Sequence, residues 1–164
     1  KDILRKEKHE LEKILGHEVI GIRQHYLNLD IPTTWKIQSE IGFKYDTSFG
    51  YRFKVGFRDN KLFPFKPFED RDFLVIPLTI MDCALFRMTD SIRIAWNIVK
   101  DMLKKAEKTG AVVTVLWHQR VFNENEFPGW GRIYEKIIQE GIKRKAWFGT
   151  CRDIYNFMEK DYYG

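Results

Sequence analysis

The segment AVVTVLWH, residues 111 to 118, is the stretch that decides the fold class. Its first seven residues form a near-continuous apolar run, which is typical of a strand buried on both faces, and the chain becomes polar at His118. An amphipathic helix that begins near Ser91 and is closed by Gly110 precedes this run, and a second one around residues 130–138 follows it. A buried strand between two such helices indicates a βα unit in a parallel sheet.

The same alternation extends over the rest of the chain. Strand-like runs are predicted at residues 19–22, 43–45, 73–80 and 146–148, and helices at 2–15, at 32–41 and from about Thr150. Pro77 restricts the run at 73–80 to a sheet edge or a bulge, because proline has no amide hydrogen for the ladder. The pattern predicts an α/β fold of about five βα units, in an open sheet or part of a barrel, where a complete TIM barrel has eight.

Length and composition predict one domain over residues 1–164, or a large piece of one. Within it we expect a leading helix up to residue 16 and a long irregular loop at 49–71, which is rich in Phe, Gly, Pro and charge. The net charge is +5, but acidic residues are interleaved with the basic ones, so nucleic acid is not an expected partner. No apolar run is long enough to predict a membrane span.

Cysteine and histidine usage predicts no metal site within this chain. The two cysteines, Cys83 and Cys151, are far apart and belong to no CxxC pair, so neither a zinc knuckle nor a disulfide framework is indicated. No HxxH, HExxH or HxxxH motif occurs either. The chain begins without Met, and we expect it to be a fragment whose upstream sequence is missing.

Polar residues follow the predicted strands, at the ends that converge on one face of a βα-repeat fold. In chain order these residues are Arg23, His25, Tyr26, Asp46, Asp82, His118, Thr150 and Arg152. His118 is the leading candidate, because a buried strand would hold it rigidly and partly desolvated. Desolvation lowers the pKa of a histidine and a nearby carboxylate raises it, so its pKa could be tuned for proton transfer near neutral pH. The alternative is a core histidine bonded to a backbone carbonyl. Trp117, beside it, is a candidate for stacking on a sugar.

Four segments resemble, in order, blocks of the polysaccharide deacetylases with a NodB-homology domain. The segments are Gly21–Leu27 (GIRQHYL), Glu40–Ser48 (EIGFKYDTS), Ile76–Asp82 (IPLTIMD) and Val115–His118 (VLWH). The resemblance covers roughly residues 16–157 and is greatest to bacterial members found among cell-surface polysaccharide genes. Each block alone is weak, so the ordered set carries the resemblance.

The resemblance implies a distorted barrel of about seven βα units and hydrolysis of acetyl groups on a polysaccharide or oligosaccharide. In that family a divalent metal, often zinc, activates water to attack an N-acetyl or O-acetyl carbonyl, one Asp is the base, and a His protonates the leaving group. His118 matches the general acid, and Arg23 matches the arginine that holds the catalytic Asp. Asp46 would line the site or orient His118. The residues expected to bind substrate are His25, Tyr26, Asp82 and Trp117.

The chain departs from the family pattern at the metal. The TFDDG-like block and the histidine pair, which supply the base and the metal ligands, are absent, and the family order places both upstream of Arg23. The Arg-x-Pro-Tyr motif appears as Arg23-Gln24-His25-Tyr26, with His25 at the proline position. We therefore expect a C-terminal portion of a partial NodB-like barrel, inactive alone, with the metal bound by the full-length protein.

Other functions remain open on the sequence. A non-catalytic carbohydrate-binding or assembly module is the main alternative. A domain for a phosphorylated small molecule is a third, although no GxGxxG or GxxxxGK loop follows a strand. An incomplete set of βα units leaves sheet edges exposed, so we also expect self-association or instability of the isolated chain. Bacterial cytoplasm and cell envelope are both compatible locations.

Overall fold

The structure of this protein is a computed structural model that describes residues 1 to 162, with side chains for residues 1 to 160. In chain order its helices and strands are α1 (Asp2–Leu15), β1 (Gly21–Ile22), α2 (Thr33–Ile41), β2 (Tyr45–Asp46), β3 (Leu74–Val75), β4 (Ile80–Met81), α3 (Asp82–Met88), α4 (Ile92–Thr109), β5 (Val115–Leu116), α5 (Trp130–Lys143) and α6 (Cys151–Phe157). These elements fall into two compact units. The first unit comprises residues 1–49, 64–76 and 149 onward, and the second unit comprises residues 50–63 and 77–148.

The first unit is organised by a three-stranded parallel sheet in the order β1-β2-β3. Gly21 lies opposite Tyr45, whose ring would be only 2.1 Å from a Cβ at position 21, so any side chain there would force the Tyr45 ring to move. A short antiparallel bridge between Phe65 and Val75 joins the loop to β3. The core is aromatic and aliphatic: Trp35, Phe43, Phe49, Phe73 and Val75 are buried together.

The second unit places the parallel strands β4 and β5 against three helices. Its core contains Ile80, Leu85, Val99 and Ile133, all fully buried. Helix α4 begins where the Ser91 hydroxyl accepts a hydrogen bond from the Ile94 amide and ends at Gly110, whose φ of 71° is the left-handed conformation that glycine tolerates. The predicted bounds of α4 are therefore confirmed.

Four other predictions about the elements are also confirmed. Helix α1 ends at Gly16, and α2 ends at Gly42, whose φ is 97°. The region 49–71 is irregular apart from a 3-10 turn at Arg58–Asn60 and the bridge at Phe65. All pairings between the named strands are parallel.

The predicted strand at 73–80 is wrong as a single element. It is divided into β3 and β4, which lie in different units and different sheets. Pro77 lies between the two pieces, where its missing amide hydrogen removes a ladder donor. The first part of the apolar run therefore packs in the core of the first unit, and its last part packs in the core of the second unit. The chain then enters helix α3 directly at Asp82, a helix that the sequence did not predict.

The predicted strand at 146–148 is also wrong. No strand forms there, and Trp147 and Phe148 are 65% and 49% exposed. Lys145, just before this segment, has a φ of 56°, which turns the chain after α5. Thr150 and Arg152 therefore follow no strand. Instead Thr150 caps α6, where its hydroxyl accepts the Asp153 amide in a capping box.

Among the described residues the strands close no barrel. A partial NodB-like barrel stays a prediction. Over the same part of the chain, none of the helices has the length and apolar character that crossing a membrane demands.

Candidate functional site

Asp82 and His118 form a hydrogen-bonded pair in the second unit. Asp82 directly follows β4, and His118 lies two residues beyond the end of β5. Because these strands are parallel neighbours, their carboxyl ends bring the two residues together. His118 Nδ1 lies 2.8 Å from one Asp82 oxygen and 2.9 Å from the other, and the His118 backbone amide donates to the same carboxylate at 2.7 Å. Asp82 thus fixes both the ring and the main chain of His118.

The hydrogen bond to Asp82 determines which ring nitrogen of His118 can accept a proton from a ligand or from solvent. Asp82 is completely buried and accepts a further hydrogen bond from the Cys83 amide at 2.5 Å. An ionised carboxylate only accepts hydrogen bonds, so we assign the donating proton of the neutral imidazole to Nδ1. That assignment leaves the lone pair on Nε2. The His118 side chain is 42% exposed, so a group from solvent or substrate can reach it. Such an arrangement suits proton transfer.

Cys83 is the third polar side chain at this place. Its sulfur lies 4.0 Å from His118 Nδ1. Burial, together with the nearby Asp82 carboxylate, raises the pKa of the Cys83 thiol, which favours the protonated form at neutral pH. We therefore assign Cys83 no role as a nucleophile.

Asp82, Cys83 and His118 are also the one set of three potential metal ligands among the described residues. In the deacetylase scheme the catalytic metal has its own ligands while a separate histidine acts as the acid. Here the buried carboxylate already accepts three N–H groups, and a metal on Nδ1 would replace the proton that joins His118 to Asp82. These three residues therefore do not fit the catalytic metal of a deacetylase in which His118 is at the same time the general acid.

Asp46, at the end of β2 in the first unit, has only neutral hydrogen-bond donors in its described contacts. The Ser48 amide and hydroxyl each donate to it at 2.8 Å, and Gln38 Nε2 donates at 3.0 Å. Burial raises the pKa of Asp46, and these hydrogen bonds oppose the rise. The expectation that Asp46 orients His118 needs correction, because the carboxylate bonded to His118 is that of Asp82.

The turn at residues 46–48 supports the segment after β1, where Arg23 lies. Arg23 Nε donates to the hydroxyl of Thr47 at 2.8 Å and to its carbonyl at 3.2 Å. The Gln24 amide donates to the Ser48 hydroxyl at 2.7 Å. The Asp46 carboxylate therefore positions the arginine segment through Ser48. These contacts hold Arg23 through Nε, and its terminal guanidinium nitrogens are donors of the type that bind anionic groups in proteins.

His25 and Tyr26 lie beyond this supported segment and are exposed. Their ring centroids are 4.2 Å apart, and Tyr26 is 77% exposed. Tyr26 and Leu27 have φ values of 56° and 51°, which are uncommon for bulky residues. Strained backbone of this kind is often retained where a side chain must be presented to a ligand.

Trp117 packs within the second unit. Its ring centroid lies 6.3 Å from that of Phe86 and 5.8 Å from that of Tyr134, and the residue is only partly exposed. These contacts make it part of the border of the core. Stacking of Trp117 on a sugar stays a prediction.

The predicted site residues thus fall into two groups, each within one unit. Asp82, Trp117 and His118 lie in the second unit, and Arg23, His25, Tyr26 and Asp46 lie in the first. Sequence reasoning missed the hydrogen-bond partners that position them, Gln38, Thr47 and Ser48. An Asp followed by Thr and Ser after a strand is a signal for such a turn, because these side chains bond nearby backbone amides.

Comparison of the chain with models of known protein families, with curated proteins and with solved structures found no match.

Proposed function

We propose that His118 is the general acid of a metal-dependent carbohydrate deacetylase and that Asp82 holds it in the required tautomer. The observation that carries the proposal is the pair of hydrogen bonds between His118 Nδ1 and a carboxylate that is completely buried. Two segments that resemble deacetylase blocks, residues 76–82 and 115–118, end at these two residues. The segments come from separate parts of the chain, and their last residues are in contact.

The proposed chemistry is proton delivery to the sugar amine as its bond to the acetyl carbon breaks. With Nδ1–H held by Asp82, a second proton on Nε2 gives an imidazolium, and the buried carboxylate stabilises its positive charge. Nε2 then donates this proton to the departing nitrogen, and His118 returns to the neutral tautomer. For an acetyl ester the acceptor is the departing oxygen. The attacking water and its metal depend on residues other than these.

Within the first unit, Arg23 is proposed to bind an anionic group, and His25 and Tyr26 to contact a glycan. Support for the arginine comes from its anchorage by Thr47, which fixes the guanidinium through Nε. Support for the two aromatic residues is their exposure and the strained backbone at Tyr26. Exposed aromatic rings bury sugar faces at a low cost in conformational entropy.

The test is zinc-dependent release of acetate from acetylated chitooligosaccharides and acetylated xylan. This chain is compared with the same protein extended upstream by the metal-binding blocks that we propose it needs. Activity is expected only in the extended protein. His118→Gln should lower the rate on the order of 10²- to 10⁴-fold, because a general acid contributes about that much. His9→Gln, on the exposed side of α1, is the matched control and should leave the rate unchanged. A His118→Gln enzyme with full activity would contradict the assignment.

A non-catalytic carbohydrate-binding module is the second candidate, and the exposed Tyr26 favours it. In that case this chain alone should bind chitooligosaccharides, and Tyr26→Ala should weaken the binding. A metal-loaded extended protein that binds these glycans but releases no acetate would favour this candidate over the deacetylase.

A further inference from the structure

Three side chains, those of Asp82, Cys83 and His118, carry potential metal-ligand atoms that lie close enough to surround one ion. The Asp82 carboxylate, the Cys83 sulfur and a His118 ring nitrogen are all within 4.8 Å of one another. Two of the residues are adjacent at the start of α3, and the third follows the neighbouring strand β5, so the fold itself brings them together.

The separations are near those of a tetrahedral zinc site. Zinc bonds of about 2.1 Å to nitrogen or oxygen and about 2.3 Å to sulfur imply, at the tetrahedral angle, ligand separations of about 3.4 Å between nitrogen and oxygen and about 3.6 Å between sulfur and nitrogen. The observed distances are 2.8 Å from Nδ1 to the Asp82 oxygen and 4.0 Å from Nδ1 to the Cys83 sulfur. Small side-chain movements would equalise them, and His118 can make such a movement because its side chain is 42% exposed.

The chemistry of the three ligands selects the kind of cation. A thiolate and an imidazole favour borderline and soft metals such as Zn²⁺, whereas Mg²⁺ and Ca²⁺ prefer sites made of oxygen ligands. Three protein ligands leave a fourth position for water.

We propose that Asp82, Cys83 and His118 bind a thiophilic divalent cation such as Zn²⁺. The cation competes with the His118 Nδ1 proton that is hydrogen-bonded to Asp82. On binding, the Nδ1 proton and the thiol proton leave to solvent, and the metal forms bonds to Nδ1, to the sulfur and to a carboxylate oxygen. The hydrogen bond between His118 and Asp82 is lost at the same time. The binding is independent of the deacetylase proposal. Its consequence, that the metal withdraws His118 from proton transfer and so inhibits, rests on that proposed function.

The test is titration of this chain with Co²⁺, whose visible spectrum reports on tetrahedral zinc sites. A thiolate-to-cobalt charge-transfer band is expected, together with intense visible bands, and one equivalent of Zn²⁺ should remove both. Cys83→Ser should abolish the charge-transfer band. Cys151→Ser is the matched control, because it is the other free and partly buried cysteine, and it should keep the band. Absence of the band, or a band that survives in Cys83→Ser, would overturn the proposal.

A second measurement does not require a variant to fold. Zn²⁺ should slow the alkylation of Cys83 by iodoacetamide, with Cys151 in the same molecule as the reference. Equal effects of Zn²⁺ on the two cysteines would also overturn the proposal. Both experiments use the chain without substrate, so a negative result here leaves the acetate-release test of the deacetylase proposal intact.

Discussion

The two units contain the same residue type in nearly the same local setting, with different partners. Asp46 ends β2 in the first unit, Asp82 directly follows β4 in the second unit, and both are completely buried. Asp46 bonds to Ser48 and Gln38, which are neutral and buried. Asp82 bonds to His118, whose side chain is partly exposed. Only Asp82 has a donor that also faces solvent, so we assign Asp46 a structural role and keep the proposed chemical role for Asp82.

The largest effects should come from removing each carboxylate. Asp46→Ala leaves the Ser48 amide, the Ser48 hydroxyl and Gln38 without their acceptor, and should lower the free energy of unfolding by about 3 kcal/mol. Asp82→Ala also leaves the Cys83 and His118 amides without their acceptor, but it should cost less, about 2 kcal/mol, because the partly exposed His118 ring can turn to water. Urea unfolding followed by tryptophan fluorescence measures both.

Asp101→Ala, at an exposed salt bridge on α4, is the control for these two variants and should stay within about 0.5 kcal/mol of the parent. A greater loss for Asp82→Ala than for Asp46→Ala would break the comparison between a structural and a chemical carboxylate.

A smaller effect is expected at Thr47, which links the Asp46 turn to Arg23. Thr47→Val keeps the shape but removes the hydroxyl that accepts Arg23 Nε, and should cost about 1 kcal/mol in the free energy of unfolding. Thr109→Val, at the exposed end of α4, is the matched control. If the two variants are equally stable, Thr47 does not anchor the arginine.

The smallest effect is a pH dependence, and its sign distinguishes Asp46 from an exposed aspartate. Burial raises the pKa of Asp46 in the folded protein above its value in the unfolded chain, which is about 4. The protonated carboxyl therefore stabilises the fold fully below about pH 4, and this stability is lost as the pH rises through the pKa of the folded state. Hydrogen bonds from Thr150 lower the pKa of Asp153 in the folded protein. The ionised Asp153 therefore stabilises the fold above the pKa of the unfolded chain, and this stability is lost as the pH falls through the pKa of the folded state.

Parent and variants are therefore compared across the acid range. As pH falls from neutrality toward about 4, the parent should gain stability relative to Asp46→Asn. Below about 4 it should lose stability relative to Asp153→Asn. The same slope for both pairs, in thermal unfolding at a series of pH values, would show that the surroundings of Asp46 do not disfavour its charge.

The sequence predicts the elements of this fold better than the pairings between them. Helix α4 was predictable because Ser91, the apolar period and Gly110 are all local signals. The division of residues 73–80 between two sheets was not, because a continuous apolar run has no period from which its partners can be determined. The exposed segment at 146–148 shows the same limit, since aromatic residues favour a strand only where another strand can pair.

The candidate site was predictable residue by residue but not in its connections. Asp82 and His118 were both expected at strand ends, yet the sequence does not say that β4 and β5 are neighbours. The resemblance therefore assigned the orienting role to Asp46 and substrate binding to Asp82, and nothing local in the sequence opposed that assignment. The spatial order of the strands decides between them, and that order depends on long-range packing.

The tautomeric state of His118, measured by ¹⁵N NMR at alkaline pH, tests directly whether Asp82 prepares His118 for proton transfer. We expect a protonated Nδ1 and a bare Nε2 in the parent protein, and loss of this preference in Asp82→Asn. His9 on the exposed side of α1 serves as an internal reference. A proton on Nε2 in the parent, or a tautomer that Asp82→Asn leaves unchanged, would contradict the claim that Asp82 prepares His118 for proton transfer.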